Sequence, residues 1–349
     1  MTVLLVCFGF GLPYRVLRCA AALDLRVFVL GGGDAWKLGR SRFCAGFFGM
    51  DQPPDSPPDD FVALVNNWAE RLEVDMVLPS DHESFRILSM VKARIDVPVF
   101  PVPDAEQYRI LSNKDDFSRF CRAVGAPHPK TELVAGVAEI GQCGLPFPVV
   151  VKPTNRSGGE GVKVIRGPGD TLVDLDYRPI LVQQFIDGED ISCTVFVHNG
   201  RVIVAQSYRR QKDCIVFETH DPLIDQCSKL ILSMNVDGLF NFDARVEAKS
   251  GDIYLIECNP RFFYTMDYAA VAGVNFVALG LDESHHRTPR PEGFVSLGGP
   301  IDSLRKLARL SWPSADDLRM LRHFLADPLP PFLYEEIPWR KQKWFGAKI

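Results

Sequence analysis

Apolar positions in the first third of the chain alternate between two periods. Residues 2–7 and 26–30 are compact apolar runs, and residues 13–23 between them carry apolar side chains at helical spacing. Phe61, Leu64, Val65, Trp68, Ala69 and Leu72 make a second helical stripe, followed by strand-like runs at 74–78 and 97–100. Strands alternating with helices imply a parallel sheet with right-handed crossovers. Further on, Phe117, Phe120, Cys121 and Val124 fall at helical spacing behind Ser112-Asn-Lys-Asp-Asp116. The later strands come in pairs. One ends in Lys152 and resumes at Val164-Ile165, and another runs from Leu181 to Val195 with a break at Asp187-Gly188. The third pair, 240–246 and 253–261, is joined by Lys249-Ser-Gly-Asp252 as a hairpin. Residues 301–310 and 314–325 predict two amphipathic helices, the second opened by Ser314.

Candidate chemistry collects on these strands. Alternate side chains of a strand share a face, so Glu257, Asn259 and Arg261 point one way, and the hairpin brings Asp243 and Arg245 alongside. Hard oxygens followed by a fixed cation suit a magnesium-bound polyphosphate, although one wet face of an amphipathic hairpin shows charges at the same period. Lys152 precedes a loop in which Gly158, Gly159 and Gly161 allow backbone amides to approach phosphate oxygens. No Gly-Lys-Ser/Thr follows, and the loop joins two strands, so it is neither a P-loop nor a dinucleotide fingerprint. The break after Gln183-Gln184-Phe185-Ile186 exposes backbone groups that could read an adenine. Lys114 opposes its helix dipole, which suits a cation kept for a ligand. Gly9-Phe-Gly11 lacks a third glycine, so it is a poor NAD site. Pro79-Ser-Asp-His-Glu83 is either a ligand edge at a strand end or a helix cap.

In this order the motifs resemble the ATP-grasp superfamily of carboxylate-amine ligase type, with the ATP-binding fold of carbamoyl-phosphate synthase. The resemblance spans roughly residues 105–280. It implies an α/β and α+β chain, in which an N-terminal Rossmann-like parallel-sheet domain (1–105) precedes a two-lobed ATP-grasp fold. The small lobe with the phosphate flap would be 106–185, and the large lobe with the C-terminal helices 186–349. By the same resemblance ATP and Mg²⁺ (or Mn²⁺) are cofactors. Lys114 and Lys152 contact phosphates, Ser157, Gly158, Gly159, Gly161 and Val162 form the flap, and Gln183, Gln184, Phe185 and Ile186 hold adenine. Asp190 or Glu189 binds ribose, Asp243, Glu257 and Asn259 hold the metal, and Arg261 steadies the transferring phosphoryl group. Two departures are Gln183-Gln184 at the start of the hinge, where the family usually has glutamate, and Asp243, where glutamate is the commoner ligand. The first leaves a largely main-chain contact in place; the second shortens the ligand by a methylene.

Composition narrows the class. The chain has 349 residues and a net charge of −5 with signs interspersed, which gives no reason to expect a nucleic-acid partner. Nine cysteines without a Cys-x-x-Cys pair, no signal-peptide pattern and no long apolar span lead to the expectation of a reduced, cytoplasmic enzyme without structural zinc or membrane contact. The basic-aromatic stretch 339–348 reads as a packed or frayed terminus. The expected reaction is ATP-dependent amide formation through an acyl phosphate, releasing ADP and phosphate, from small-molecule carboxylate and amine substrates that are amino-acid or peptide-like. Arg209 and Arg210, with Lys212, are expected on a loop near the phosphates, and Arg245 beside the acceptor carboxylate. A homodimer is possible. The alternatives are a stand-alone phosphorylating or carboxylating enzyme, or a silent nucleotide-binding regulator.

Overall fold

The computed structural model describes residues 1–51, 58–156, 158–172, 175–211, 214–281, 293–296 and 314–330. The expected helix at 301–310, the tail 339–348, Ser157 and Lys212 lie outside the described residues. The chain divides into two compact units. One holds Met1–Tyr108, Cys193–Asn241 and the described residues from Asn259 onward; the other holds Arg109–Ser192 and Phe242–Cys258.

In the first unit β1 (Thr2–Cys7), α1 (Gly11–Ala21), β2 (Arg26–Gly31), β3 (Cys44–Gly49), α2 (Pro58–Arg71), β4 (Met76–Pro79) and α3 (His82–Val91) follow one another. The strands form a parallel sheet of order β3-β2-β1-β4. Five of the six β1 residues are buried, as a strand covered on both faces requires. Residues 97–100 contribute only a parallel bridge, Val77 to Val99, where a full strand was expected. Asp81 settles the 79–83 segment in favour of a cap. Its Oδ1 accepts from the Ser84 N–H at 3.0 Å in a capping box, while Oδ2 accepts from the Phe8 and Gly9 N–H groups at 2.6 and 2.9 Å.

The second unit begins within α4 (Ala105–Ser112) and continues with α5 (Lys114–Ala123), β5 (Thr131–Val134), β6 (Val149–Lys152), β7 (Lys163–Ile165) and β8 (Ile180–Gln184). These strands make an antiparallel sheet of order β5-β8-β6-β7. Its apolar face packs Val149, Val151, Ile165, Ile180 and Val182 against Ile140 and Tyr177.

The chain continues through β9 (Gly188–His198), β10 (Arg201–Arg210), β11 (Cys214–Glu218), α6 (Asp221–Leu232), β12 (Gly238–Glu247), β13 (Ile253–Asn259), α7 (Met266–Ala272), α8 (Phe276–Leu279), β14 (Gly293–Ser296) and α9 (Ala315–Leu325). The six-stranded sheet has the order β13-β12-β9-β10-β11-β14. Gly188 opens β9 because a Cβ there would lie 1.9 Å from the Val246 carbonyl oxygen. Arg209 and Arg210 stand in β10 paired with Val216 and Ile215 of β11, so the loop expected for them is corrected: their backbone is committed to a ladder. Within the first unit, the Asp267 carboxylate ties α7 to α1 through Arg15 at 2.6 Å and Arg18 at 2.7 Å.

Candidate functional site

The second unit gathers two lysines and two carboxylates. Lys114 is the first residue of α5, which Asn113 caps by accepting from the Asp115 and Asp116 N–H groups. Its ammonium, on a residue only 9 % exposed, lies 3.2 Å from Glu257 and donates to the Arg156 carbonyl at 2.5 Å. Lys152 closes β6 at 3 % exposure, where burial pushes its ammonium down to about 8; Glu257 and Asp243 oppose that shift and Lys114 adds to it. Glu257 therefore acts on both cations, in an ion pair with Lys114 and by its charge on Lys152.

Asp243 on β12 accepts from the Ser192 hydroxyl at 2.8 Å. Burial raises its carboxyl well above the usual range, and Glu257 beside it raises it further by charge and by a hydrogen bond between the two acids. A shared proton between neighbouring carboxylates marks a place where a cation would be favoured. Among the described residues no group of three or more His, Cys, Asp or Glu could hold a metal. Two carboxylates with water and phosphate completing the shell fit Mg²⁺, and they do not fit a structural zinc. Asn259 and Arg261 follow on the same chain: the Arg261 guanidinium is 9 % exposed and donates to the Asn259 side-chain oxygen at 3.0 Å and to the Phe262 carbonyl at 2.9 Å. The cation is fixed, and the amide oxygen expected to bind metal already accepts from it.

The loop expected to form the flap joins β6 to β7 in a hairpin. Gly158, Gly159 and Gly161 all have positive φ, 67, 76 and 77°. At Gly161 a Cβ would come within 2.9 Å of the Tyr177 ring, whose hydroxyl donates to the Gly161 carbonyl at 2.7 Å. Arg156 braces the base of the hairpin with both Asp176 oxygens at 3.0 Å. Val162 follows the turn, its N–H on the Gly159 carbonyl at 3.3 Å.

The hinge is only partly available for reading a base. Gln183 is buried and donates to the Thr131 hydroxyl at 3.0 Å, and the Gln184 N–H is taken by the Lys130 carbonyl at 2.8 Å. Phe185 is half-buried and Ile186 buried. Arg245 is brought to this hinge: it donates to the Gly188 carbonyl, stands 3.3 Å from Asp190 and lies over the Phe185 ring at 5.7 Å. In the first unit Arg209 pairs with Glu218 at 2.6 Å. Sequence reasoning missed Ser192, Tyr177 and Asp176. Ser192 had a signal, since Asp190, Ser192 and Thr194 alternate along β9 as Asp243 and Arg245 do along β12.

A family model for an ATP-grasp in the biosynthetic pathway with Ter operon matches residues 176–297. The findings support a likeness to the ATP-grasp superfamily. The carbamoyl-phosphate synthase of Methanobrevibacter smithii is 23% identical over 230 residues, 61% of this chain and 61% of that relative's length. An N5-carboxyaminoimidazole ribonucleotide synthetase in complex with ADP shares the fold at TM-score 0.66 and 16% identity, covering 89% of this chain and 85% of that one. The L-amino acid ligase of Bacillus licheniformis superposes at TM-score 0.61 and 16% identity, over 83% of this chain and 75% of the other. The fold is thus mixed α/β with a parallel sheet and antiparallel sheets, as expected. ATP and Mg²⁺ are the cofactors typical of ATP-grasp proteins. Among the described residues no helix is long and apolar enough to cross a membrane.

Proposed function

We propose that this chain is an ATP-dependent carboxylate–amine ligase that releases ADP and phosphate through an acyl phosphate, with amino-acid or peptide-like substrates. The observation that carries the reading is the buried set of Lys114, ion-paired to Glu257, and Lys152, within the charge field of Glu257 and Asp243. Folding alone gives no reason to set two acids and two amines together away from water, where each costs desolvation. When bound, Mg²⁺ would supply charge neutralisation to the phosphates. Asp243 and Glu257 would hold it, with Asn259 following on β13. Lys114 and Lys152 would take phosphate oxygens, and the glycine turn with Val162 would cover them. Asp190 sits beside the hinge formed by Gln184, Phe185 and Ile186 and would meet the ribose. Arg261, held by Asn259 and the Phe262 carbonyl, would face the charge that develops on the transferring phosphoryl group. Positioning and electrostatics carry such a transfer, so no nucleophilic side chain is needed.

The L-amino acid ligase likeness favours an amine acceptor, and the carboxyaminoimidazole synthetase likeness favours a carboxylation; both proceed through an acyl phosphate in this reading. Screening amino acids, dipeptides, simple organic acids and bicarbonate for ADP release in the presence of hydroxylamine tests it. Hydroxamate with ADP supports the ligase. Pyrophosphate release, or phosphate left on a hydroxyl group, moves the chain to an adenylating or kinase class.

A further inference from the structure

One side chain of β12 grips the connection between β8 and β9 at three points, all of them within the second unit. The Arg245 guanidinium donates to the Gly188 carbonyl, lies 3.3 Å from Asp190 and sits over the Phe185 ring at 5.7 Å. The connection is also tied to this end of β12 through its main chain. The Ala248 N–H donates to the Asp187 carbonyl at 2.8 Å, and Gly188 leaves no room for a Cβ beside Val246. The Arg245 side chain is 22 % exposed and that of Asp190 56 %, so the cation is mostly covered while the carboxylate stays open to a ligand.

These contacts set Asp190 in line with the paired acids. β9 and β12 are neighbours in the sheet, and Asp190 meets Arg245 as Ser192 meets Asp243, whose hydrogen bond is 2.8 Å. Two residues of strand separate the pairs, a distance of about 7 Å. Glu189 alternates to the other face of β9, so of the two acids that the sequence offers for a ribose, Asp190 is the one on the side of Asp243. An ionised carboxylate has about four lone-pair sites, and a guanidinium on Oδ1 leaves Oδ2 able to accept two further donors. Two hydroxyls on adjacent carbons match that capacity. Burial raises the Asp190 carboxyl above its ordinary value and Arg245 opposes the rise, so the cation favours the acceptor form.

We propose that Arg245 is a positioning residue for the nucleotide: it holds Asp190 so that the carboxylate accepts from both ribose hydroxyls, and thereby makes this chain selective for ribonucleotides. The proposal rests on the ATP reading above. The planar guanidinium joins the carboxylate and the Gly188 carbonyl in one rigid group, which fixes the acid relative to the hinge. A neutral side chain of similar length leaves Asp190 free to turn away and to take up a proton.

Calorimetry with ADP and with dideoxy-ADP, whose sugar lacks both hydroxyls, tests it. The wild-type protein should prefer ADP by about 10-fold or more, as hydrogen bonds to a charged acceptor require. Arg245→Met should shrink that preference to about 3-fold or less while leaving dideoxy-ADP binding close to wild type. Arg245→Gln, still able to donate to the Gly188 carbonyl, should do the same, which separates loss of the charge from loss of the hinge contact. In Asp190→Ala the preference should already be gone, and adding Arg245→Met should change it no further. A side chain that only braced the hinge would weaken both nucleotides alike; that result, or an unchanged preference in the methionine and glutamine variants, overturns the proposal. ADP bound by the wild type with no sugar preference overturns it too and leaves the nucleotide reading standing. No ADP binding at all removes that reading and the inference with it.

Discussion

The Lys114 ammonium bridges the Glu257 carboxylate at 3.2 Å and the Arg156 carbonyl at 2.5 Å, so one buried cation joins α5, the flap and β13. After burial, Glu257 is the group that raises the Asp243 carboxyl most. Replacing Glu257 by Gln should therefore lower the Asp243 carboxyl toward the ordinary range, readable in carboxyl carbon NMR shifts. It should also cut Mg²⁺-dependent turnover by about 10²-fold or more, because a charge that faces the phosphates is lost. An unmoved Asp243 titration would show that the two acids are not adjacent.

Mg²⁺ favours the ionised form of Asp243, whose folded value is raised. Metal binding should release protons, and Mg²⁺ affinity should climb with pH through the titration of that group. Calorimetry in buffers of different ionisation enthalpy reads the proton count. Zero released protons near neutral pH would contradict the shared-proton picture.

Lys152 carries the opposite sign. Its folded value, about 8, lies below its unfolded one, so the unfolded chain binds the extra proton between about pH 8 and the usual lysine range. Stability of the ligand-free protein should rise with pH across that window. Lys152→Met should flatten this rise and abolish thermal stabilisation by ATP without lowering the melting temperature of the free protein. Normal ATP-induced stabilisation in the variant would remove Lys152 from the phosphate site.

Gly161→Ala should strain the flap on two counts, its φ of +77° and the 2.9 Å approach to Tyr177. A cost of about 1–2 kcal/mol is expected at such a site. Hydrogen exchange should report it locally in residues 158–165, and ATP-dependent turnover should fall with it. Gly158→Ala, whose Cβ meets nothing within 4 Å, should be milder.

The strands were legible where their sequences are one-sided. Thr2–Cys7 matches its apolar run residue for residue, and the hairpin from Phe240 to Asn259 follows from period-two alternation and a glycine turn. Cys44–Gly49 was not legible, because Cys-Ala-Gly-Phe-Phe-Gly has two glycines and no alternation, and it pairs only through β2. Charges misled at Arg209 and Arg210, where a polar run suggested a loop and the partner strand β11 decides the matter. Lys114 and Lys152 could be read because one opens a helix and the other ends a strand, and Asp243 and Glu257 because polar and apolar positions alternate around them. The Arg245–Asp190 pair could not, since the residues lie on different strands and nothing local links them.

Asp81 carries a consequence for what the parallel sheet can hold. Its carboxylate occupies the two N–H groups of Phe8 and Gly9 at the mouth of β1, the kind of seat in which other parallel sheets lodge a phosphate. The protein supplies its own anion there, as a permanent tenant carried on the neighbouring strand's exit. A dinucleotide phosphate would have to displace that carboxylate before it could use the same two N–H groups. Asp81→Ala would vacate the seat, and an added phosphate or sulfate should then restore part of the lost stability, making this domain a receptor for small anions.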